Sequence, residues 1–148
     1  MSHEVEIGRG KRGRRAYTLD DIALVPARRT RDPEDVNVGW QIDAYHVDIP
    51  LMAAPMDSVM SPETAIAFGR LGGIGVLDLD GLWTRYEDPT PILDQIAHLG
   101  EEESIATLQR VYSEPIKPSL ITERLKQLRE AGVVVAGKLS PQRVQQYW

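Results

Sequence analysis

The sequence predicts an α/β fold in which short parallel strands alternate with helices. Three brief, wholly apolar runs, at residues 51–54, 74–77 and 133–136, are typical of strands buried on both faces of a sheet. Apolar residues at helical spacing separate these runs, and buried strands joined through a covering helix pair in parallel. Residues 49–80 make one complete unit of this kind, with a strand, a loop at 55–58, a helix and a second strand.

Prolines mark where the helices begin. Four helix starts carry a proline in the first turn, and in three of them a hydroxyl residue comes directly before the proline: Ser61-Pro62, Thr90-Pro91, Pro118 and Ser140-Pro141. Glycines follow three of the apolar stripes and act as stops. We therefore predict helices over residues 62–71, 91–99, 101–112 and 118–131, and another from residue 141 onward.

The segments before the first buried strand follow a different pattern. Residues 36–42 and 45–47 flank Asp43-Ala44 and predict a hairpin. Residues 17–26 fit neither the helical nor the strand period, which indicates a short extended or turn-like segment, and residues 27–34 are a charged loop. Asp20 and Asp21 are expected to cap a local turn, because adjacent carboxylates in an extended chain point apart and make a poor catalytic pair.

Composition limits the class of protein. The 148 residues are 42% hydrophobic, enough for a core, and contain no cysteine, so these residues form no disulfide and no thiolate metal site. No apolar run is long enough to span a membrane, and a cytoplasmic location is the expectation. Residues 1–16 form a basic leader with five basic residues against two acidic ones. We expect it to be solvated, and nucleic acid is not a predicted partner, because neither interleaved aromatics nor a recognition helix follows.

Three parallel strands do not close a sheet. A closed eight-stranded barrel needs about 200–250 residues, and an open three-stranded sheet leaves apolar edges. We therefore predict that residues 17–148 are the incomplete N-terminal part, about three βα units, of a TIM (β/α)8 barrel, preceded by a hairpin and the basic leader. A small self-contained α/β module that associates with copies of itself is the alternative.

The loop after the second strand is a candidate site. It carries Asp78 and Asp80 at the carboxyl end of a parallel strand, where ligand sites of such sheets are built. The same residues partly match a calcium-loop pattern, but Val76 occupies the first ligand place and has no side-chain oxygen. The sequence therefore predicts no metal site here.

Three co-linear motifs carry a family resemblance. Residues 17–26, 49–59 and 72–75 resemble, in order and spacing, the N-terminal motifs of the inosine monophosphate (IMP) dehydrogenase and GMP reductase family. Residues 8–15, 26–31 and 40–45 are most similar to the short bacterial IMP dehydrogenase-related subgroup. Longer relatives insert a regulatory CBS pair near residues 82–132, and here those residues predict helices instead.

The resemblance implies an oxidoreductase of guanine-nucleotide synthesis on a barrel. In that family a loop cysteine attacks C2 of the purine, hydride passes to NAD, and water releases xanthosine monophosphate (XMP). The resemblance implies a purine nucleotide as substrate, NAD and a monovalent cation as cofactors, and a homotetramer. The catalytic cysteine, the phosphate loops and the cation site are all expected downstream of residue 148, so these residues alone should be inactive. A GMP reductase and a non-catalytic purine-nucleotide-binding protein are the alternatives.

Few site residues carry over from the family. Met56 matches the methionine that packs against the purine, and Asp57 matches the motif aspartate, expected to shape the loop. Ala54 stands where many relatives have a nucleotide-contacting serine. These three are the predicted substrate-binding residues. Asp78 and Asp80 lie near the expected mouth, where relatives often carry histidine and asparagine for the cofactor.

Overall fold

A computed structural model describes residues 4–25 and 31–147. The chain divides into two compact units, Met1–Asn37 and Val38–Trp148. Within the part that is described, no helix is both long enough and apolar enough to cross a bilayer. Residues 26–30, which belong to the predicted charged loop and to one of the subgroup-like segments, lie outside the described residues, as does the final Trp148.

The first unit contains a hairpin and two short turns. Strands β1 (Glu4–Gly8) and β2 (Lys11–Arg14) pair antiparallel, with Gly10 at φ +71° in the turn between them. The described part of the basic leader, residues 4–16, is mostly exposed, as predicted, and most of it pairs into a hairpin that the sequence did not indicate. The 3-10 turn Leu19–Asp21 confirms the capping prediction for Asp21, because its carboxylate accepts hydrogen bonds from the amide and hydroxyl of Thr18 at 2.9 and 3.0 Å. A second turn covers Pro33–Asp35.

The second unit opens with the predicted hairpin. Strands β3 (Trp40–Ile42) and β4 (Tyr45–Val47) pair antiparallel around Asp43, whose φ of 48° lies in the left-handed region that Asn and Asp tolerate in tight turns. The first strand is shorter than predicted.

A parallel sheet in the order β5-β6-β7 is the centre of the second unit. Its strands are β5 (Met52–Ala53), β6 (Ile74–Asp78) and β7 (Ala136–Lys138). Five helices accompany it: α1 (Pro62–Arg70), α2 (Thr90–Ala97), α3 (Glu101–Val111), α4 (Pro118–Glu130) and α5 (Pro141–Tyr147). The predicted α/β class and its parallel pairing are confirmed.

Helices α1 and α4 cover the central strand. Leu77 of β6, Ala65 of α1 and Leu128 of α4 are at most 1% exposed and belong to one apolar cluster. Gly75 lets α1 approach β6 closely, since a Cβ there would lie 2.5 Å from the Cα of Ala65. The Ser61 hydroxyl accepts from the Thr64 amide at 3.1 Å and caps α1 at the predicted start.

Two strand predictions are wrong in detail. All three strands were predicted to be buried on both faces, but only β6 is largely buried. β5 is an edge strand, and Leu51 and Met52 remain 58% and 57% exposed. The third strand was predicted over residues 133–136, but it begins at Ala136 and ends at Lys138. Val133 instead packs against Gly69 of α1. The apolar run indicated burial, which a residue can achieve without a strand partner.

Candidate functional site

The loops that follow the three parallel strands carry a cluster of polar residues. Asp57 belongs to the loop after β5, Asp78 ends β6, Asp80 follows it in the next turn, and Lys138 ends β7. In parallel sheets these carboxyl ends lie at one edge, and the register places Asp78 beside Lys138.

Asp57 is fixed by two hydrogen bonds from distant parts of the chain. Its Oδ2 accepts from the Leu82 amide at 2.8 Å and from the Tyr112 hydroxyl at 2.5 Å. Its Oδ1 is buried without a hydrogen-bond partner among the described residues. Gly81 leaves room for the carboxylate, because a Cβ on that residue would lie 2.1 Å from Oδ1. Asp57 therefore joins the β5 loop to the β6 loop and to the end of α3.

Burial dominates the electrostatics of this contact. Desolvation raises the pKa of Asp57, outweighing the hydrogen bonds from Tyr112 and Leu82 that stabilise the charged form. Desolvation also raises the pKa of Tyr112, and the neighbouring Asp57 charge adds to the effect. Tyr112 consequently stays a neutral hydrogen-bond donor at physiological pH.

An apolar cavity of about 440 Å³ opens beside Asp57. The β5 loop contributes Met56, which is half-exposed, and the two helices α2 and α3 contribute side chains to the wall. The full lining is Pro55, Met56, Asp57, Ser58, Asp78, Leu82, Leu93, Ile96, Leu108 and Tyr112. The cavity thus combines aliphatic walls with two carboxylates and one phenol.

A polar cavity of about 510 Å³ shares Asp78 and Tyr112 with the apolar one. Its other lining residues are Asp80, Arg85, Lys138, Ser140, Gln142 and Arg143. Lys138 Nζ lies 3.2 Å from Asp78 Oδ1 and 3.4 Å from Asp80 Oδ2. Arg143 pairs with Asp80 at 3.2 Å. Charges of both signs therefore face one opening.

The pKa values of Asp80 and Lys138 are shifted in opposite directions. Partial desolvation opposes the shift of Asp80, but the Ser140 amide and the cations Lys138 and Arg143 lower its pKa below the usual value. Desolvation also opposes the shift of Lys138, but Asp78 and Asp80 raise its pKa. Both groups remain charged at neutral pH.

Buried arginines hold the loop between β6 and α2. Arg85 donates to the carbonyls of Asp80 and Glu114, and its guanidinium lies 5.5 Å from the Tyr112 ring centre. Arg124 of α4 donates to the carbonyls of Trp83 and Glu87 at 3.1 and 2.5 Å. These bonds satisfy loop carbonyls that would otherwise be buried without partners.

The structure brings together four of the five predicted residues. Met56, Asp57 and Asp78 line the apolar cavity, and Asp80 lines the polar one. Ala54 is exposed and lines neither of these two cavities. That these residues bind substrate or cofactor remains a prediction.

Sequence reasoning missed Tyr112, Arg85, Lys138 and Arg143. Lys138 was missed because the third strand was placed too early. Its position between an apolar run and the Ser140-Pro141 helix start could have revealed it. No local signal marks Tyr112, which lies 55 positions from Asp57.

Comparison with known proteins agrees with the family resemblance of the sequence motifs within residues 17–75. Residues 16–87 match the model of the IMP dehydrogenase / GMP reductase domain. This stretch is similar to that family. It contains Met56, Asp57, Asp78 and Asp80, so most of the cluster at the strand ends comes from family-matched residues.

Two longer matches extend over nearly the whole chain. An uncharacterized oxidoreductase of Mycolicibacterium smegmatis is 43% identical over 95% of this chain and 39% of its own length. A crystal structure of an IMP dehydrogenase/GMP reductase-like protein from Corynebacterium glutamicum superimposes with a TM-score of 0.80 at 41% identity, covering 97% of this chain and 40% of that one. The chain therefore spans about two-fifths of the length of these relatives.

A shorter match reaches a named enzyme. The IMP dehydrogenase of Methanocaldococcus jannaschii is 42% identical over 64 residues, which is 43% of this chain and 13% of the archaeal protein. The resemblance to the family, and to short bacterial relatives within it, is confirmed. The helices predicted within residues 82–132 are present as α2, α3 and α4.

Proposed function

We propose that this chain is the N-terminal part of an IMP dehydrogenase-related oxidoreductase that converts IMP, NAD and water to XMP and NADH. One observation supports this most. The family-matched loop after β5 opens with Met56 and Asp57 into an apolar cavity at the carboxyl ends of parallel strands. Small-molecule sites of α/β barrels are built at that end.

The purine is assigned to the apolar cavity. Its aliphatic walls suit the faces of a planar ring, and the half-exposed Met56 supplies a polarizable contact surface. Asp78 offers a carboxylate acceptor to the single N–H group, N1–H, of the hypoxanthine base. Asp57 fixes the β5 loop through the Leu82 amide, so that Met56 keeps its place.

The dinucleotide is assigned to the polar cavity, whose residues fit it. Asp78 and Asp80 are acceptors for ribose hydroxyls, while Lys138 and Arg143 are cations for the pyrophosphate. Arg85 donates to backbone carbonyls and adds a positive charge to the same opening. NAD would supply the hydride acceptor of the reaction.

The reacting nucleophile must come from elsewhere in the enzyme. The 148 residues contain no cysteine, and the proposal assigns the thiolate that attacks C2, the phosphate loops and the monovalent-cation site to further barrel strands. The 148 residues by themselves are accordingly proposed to be inactive. The complete enzyme is proposed to be a cytoplasmic homotetramer.

Titration with IMP and NAD tests the proposal. A polypeptide that contains this chain and the remaining barrel strands should produce NADH absorbance, and the 148 residues alone should produce none. Asp78→Asn should raise KM for NAD several-fold, whereas Asp94→Asn on the exposed part of α2 should leave it unchanged.

Two other outcomes would replace the proposal. IMP binding without NADH from the complete polypeptide would favour a non-catalytic nucleotide-binding protein. Consumption of a reduced nicotinamide with GMP, but no oxidation of IMP, would favour a GMP reductase.

A further inference from the structure

Helices α2 and α3 form a helical hairpin that makes one wall of the apolar cavity. Leu93 and Ile96 of α2 and Leu108 of α3 line it together with Met56 of the β5 loop. These three aliphatic side chains are only partly covered, and Leu108 remains 38% exposed. The hairpin therefore presents apolar surface to a cavity large enough for a ligand.

The hairpin is anchored at one end. The Tyr112 hydroxyl donates to Asp57, the Tyr86 hydroxyl donates to the Val111 carbonyl at 3.1 Å, and Arg85 donates to the Glu114 carbonyl. All three bonds lie at the C-terminal end of α3 or within three residues after it. By contrast, α2 has no buried residue, and Val111 is the one buried residue of α3. Few buried contacts are the condition for local movement.

The charges around the cavity select the part of a nucleotide that fits. Asp57 and Asp78 are acceptors and would repel a phosphate. Among the residues that line this cavity, none is a lysine or an arginine. A planar base with an N–H group on its edge suits both the aliphatic walls and the Asp78 carboxylate, so the base is the occupant.

We propose that the α2–α3 hairpin is a ligand-contacting cover of this cavity, and that Tyr112 is the positioning residue that couples it to the β5 loop. This inference rests on the proposed function, since it takes the base of IMP as the occupant. A bound base removes Leu93, Ile96 and Leu108 from water and so holds the hairpin in place. Tyr112 sets that place through its bond to Asp57.

The wall is tested with two variants of one helix. Leu108→Asn and Ile105→Asn make similar changes on α3, at positions that are 38% and 53% exposed, but only Leu108 lines the cavity. We expect Leu108→Asn to weaken IMP binding about tenfold, measured by calorimetry on the complete protein, and Ile105→Asn to change it less than about twofold. Equal affinity of both variants and wild type for IMP would contradict the proposal that the α2–α3 hairpin contacts the ligand.

The coupling is tested with two phenylalanine substitutions. Tyr112→Phe keeps the ring beside Arg85 but removes the bond to Asp57, whereas Tyr86→Phe removes a bond to the same hairpin without touching Asp57. A glutamate-specific protease reports on the hairpin through Glu101, Glu102 and Glu103, which are exposed at the start of α3. IMP should slow cleavage there several-fold in wild type and Tyr86→Phe, and much less in Tyr112→Phe.

The results separate this inference from the function on which it rests. If the unaltered protein does not bind IMP, the proposed function and the cover fail together. If it binds IMP but ligand protects Tyr112→Phe as well as it protects wild type, the coupling fails and the proposed function stands. Equal loss of protection in Tyr86→Phe and Tyr112→Phe would show that Tyr112 is only an anchor, which also overturns the coupling.

Discussion

The Tyr112 hydroxyl donates a hydrogen bond to Oδ2 of Asp57, 55 positions earlier in the sequence. The same oxygen accepts from the Leu82 amide, so one carboxylate joins three segments at the mouth of the sheet. Its second oxygen is buried without a partner among the described residues. Such a half-satisfied carboxylate in a partly desolvated place responds strongly to pH and to its nearest neighbours.

Asp57→Asn should change how stability depends on pH. Burial raises the pKa of Asp57 above its usual 3.8, so the folded state holds this proton more tightly than the unfolded chain. The resulting stabilisation is complete below pH 3.8 and is lost as pH rises through the raised folded-state pKa. Asparagine does not ionise, so the free energy of unfolding of the variant should increase relative to wild type across that window. Urea unfolding at a series of pH values measures the difference, and a constant difference would contradict the assignment.

Asp80→Asn should change the pH dependence of stability in the opposite direction. Although partial desolvation opposes the shift, Ser140 and the nearby cations lower the pKa of Asp80 below 3.8. Its stabilisation is therefore present above pH 3.8 and is lost as pH falls through the lowered folded-state pKa. At neutral pH the variant should lose about 1 kcal/mol, because asparagine keeps an acceptor for the Ser140 amide but not the charge. The same urea series checks this, and a wild-type advantage that grows at low pH would contradict it.

Gly81→Ala should destabilise the protein through Asp57. The backbone of Gly81 has φ −84° and ψ −167°, which any residue adopts, so the cost is steric. A Cβ would lie 2.1 Å from Asp57 Oδ1, and relieving that overlap should cost about 1–3 kcal/mol of unfolding free energy.

A double-mutant cycle supplies the control for Gly81. In an Asp57→Ala background the carboxylate is gone, so Gly81→Ala should cost much less than it does in wild type. Equal costs in the two backgrounds would place the conflict elsewhere in the loop.

Arg124→Met should loosen the loop between β6 and α2. The Arg124 side chain is 6% exposed and donates to the carbonyls of Trp83 and Glu87. Methionine keeps much of the volume but leaves those carbonyls unpaired, so we expect a loss of about 2–4 kcal/mol in thermal or urea unfolding. Arg129→Met, on the exposed face of the same helix, should stay within about 0.5 kcal/mol of wild type. Similar losses in both variants would point to helix propensity as the cause.

The elements were predictable where local chemistry decides them. Ser61-Pro62 marked the start of α1, the apolar run at 74–77 marked β6, and Thr18 with Asp21 formed the expected turn. Each signal lies within a few residues of its effect. The start of β7 was not predictable in this way, because Val133 is only partly buried, packs against Gly69 and pairs with no strand.

The candidate site was predictable only in part, for the same reason. The strand-end rule and the family motifs pointed to Met56, Asp57, Asp78 and Asp80, which lie within four residues of the ends of β5 and β6. They did not point to Arg85 or Tyr112, whose bonds run to carbonyls and a carboxylate in other segments. Long-range pairs of this kind carry no periodicity or cap that one sequence displays.

By itself the sequence determined the α/β class, the parallel pairing of the strands and the strand ends at which polar residues collect, because hydrophobic patterning and capping are local properties of the sequence. The tertiary structure alone decided that Asp57 is pinned by Leu82 and Tyr112, that Lys138 stands between Asp78 and Asp80, and that α2 and α3 wall a cavity. Those relationships depend on how helices and loops pack in space, and packing is fixed by contacts between residues far apart in the chain.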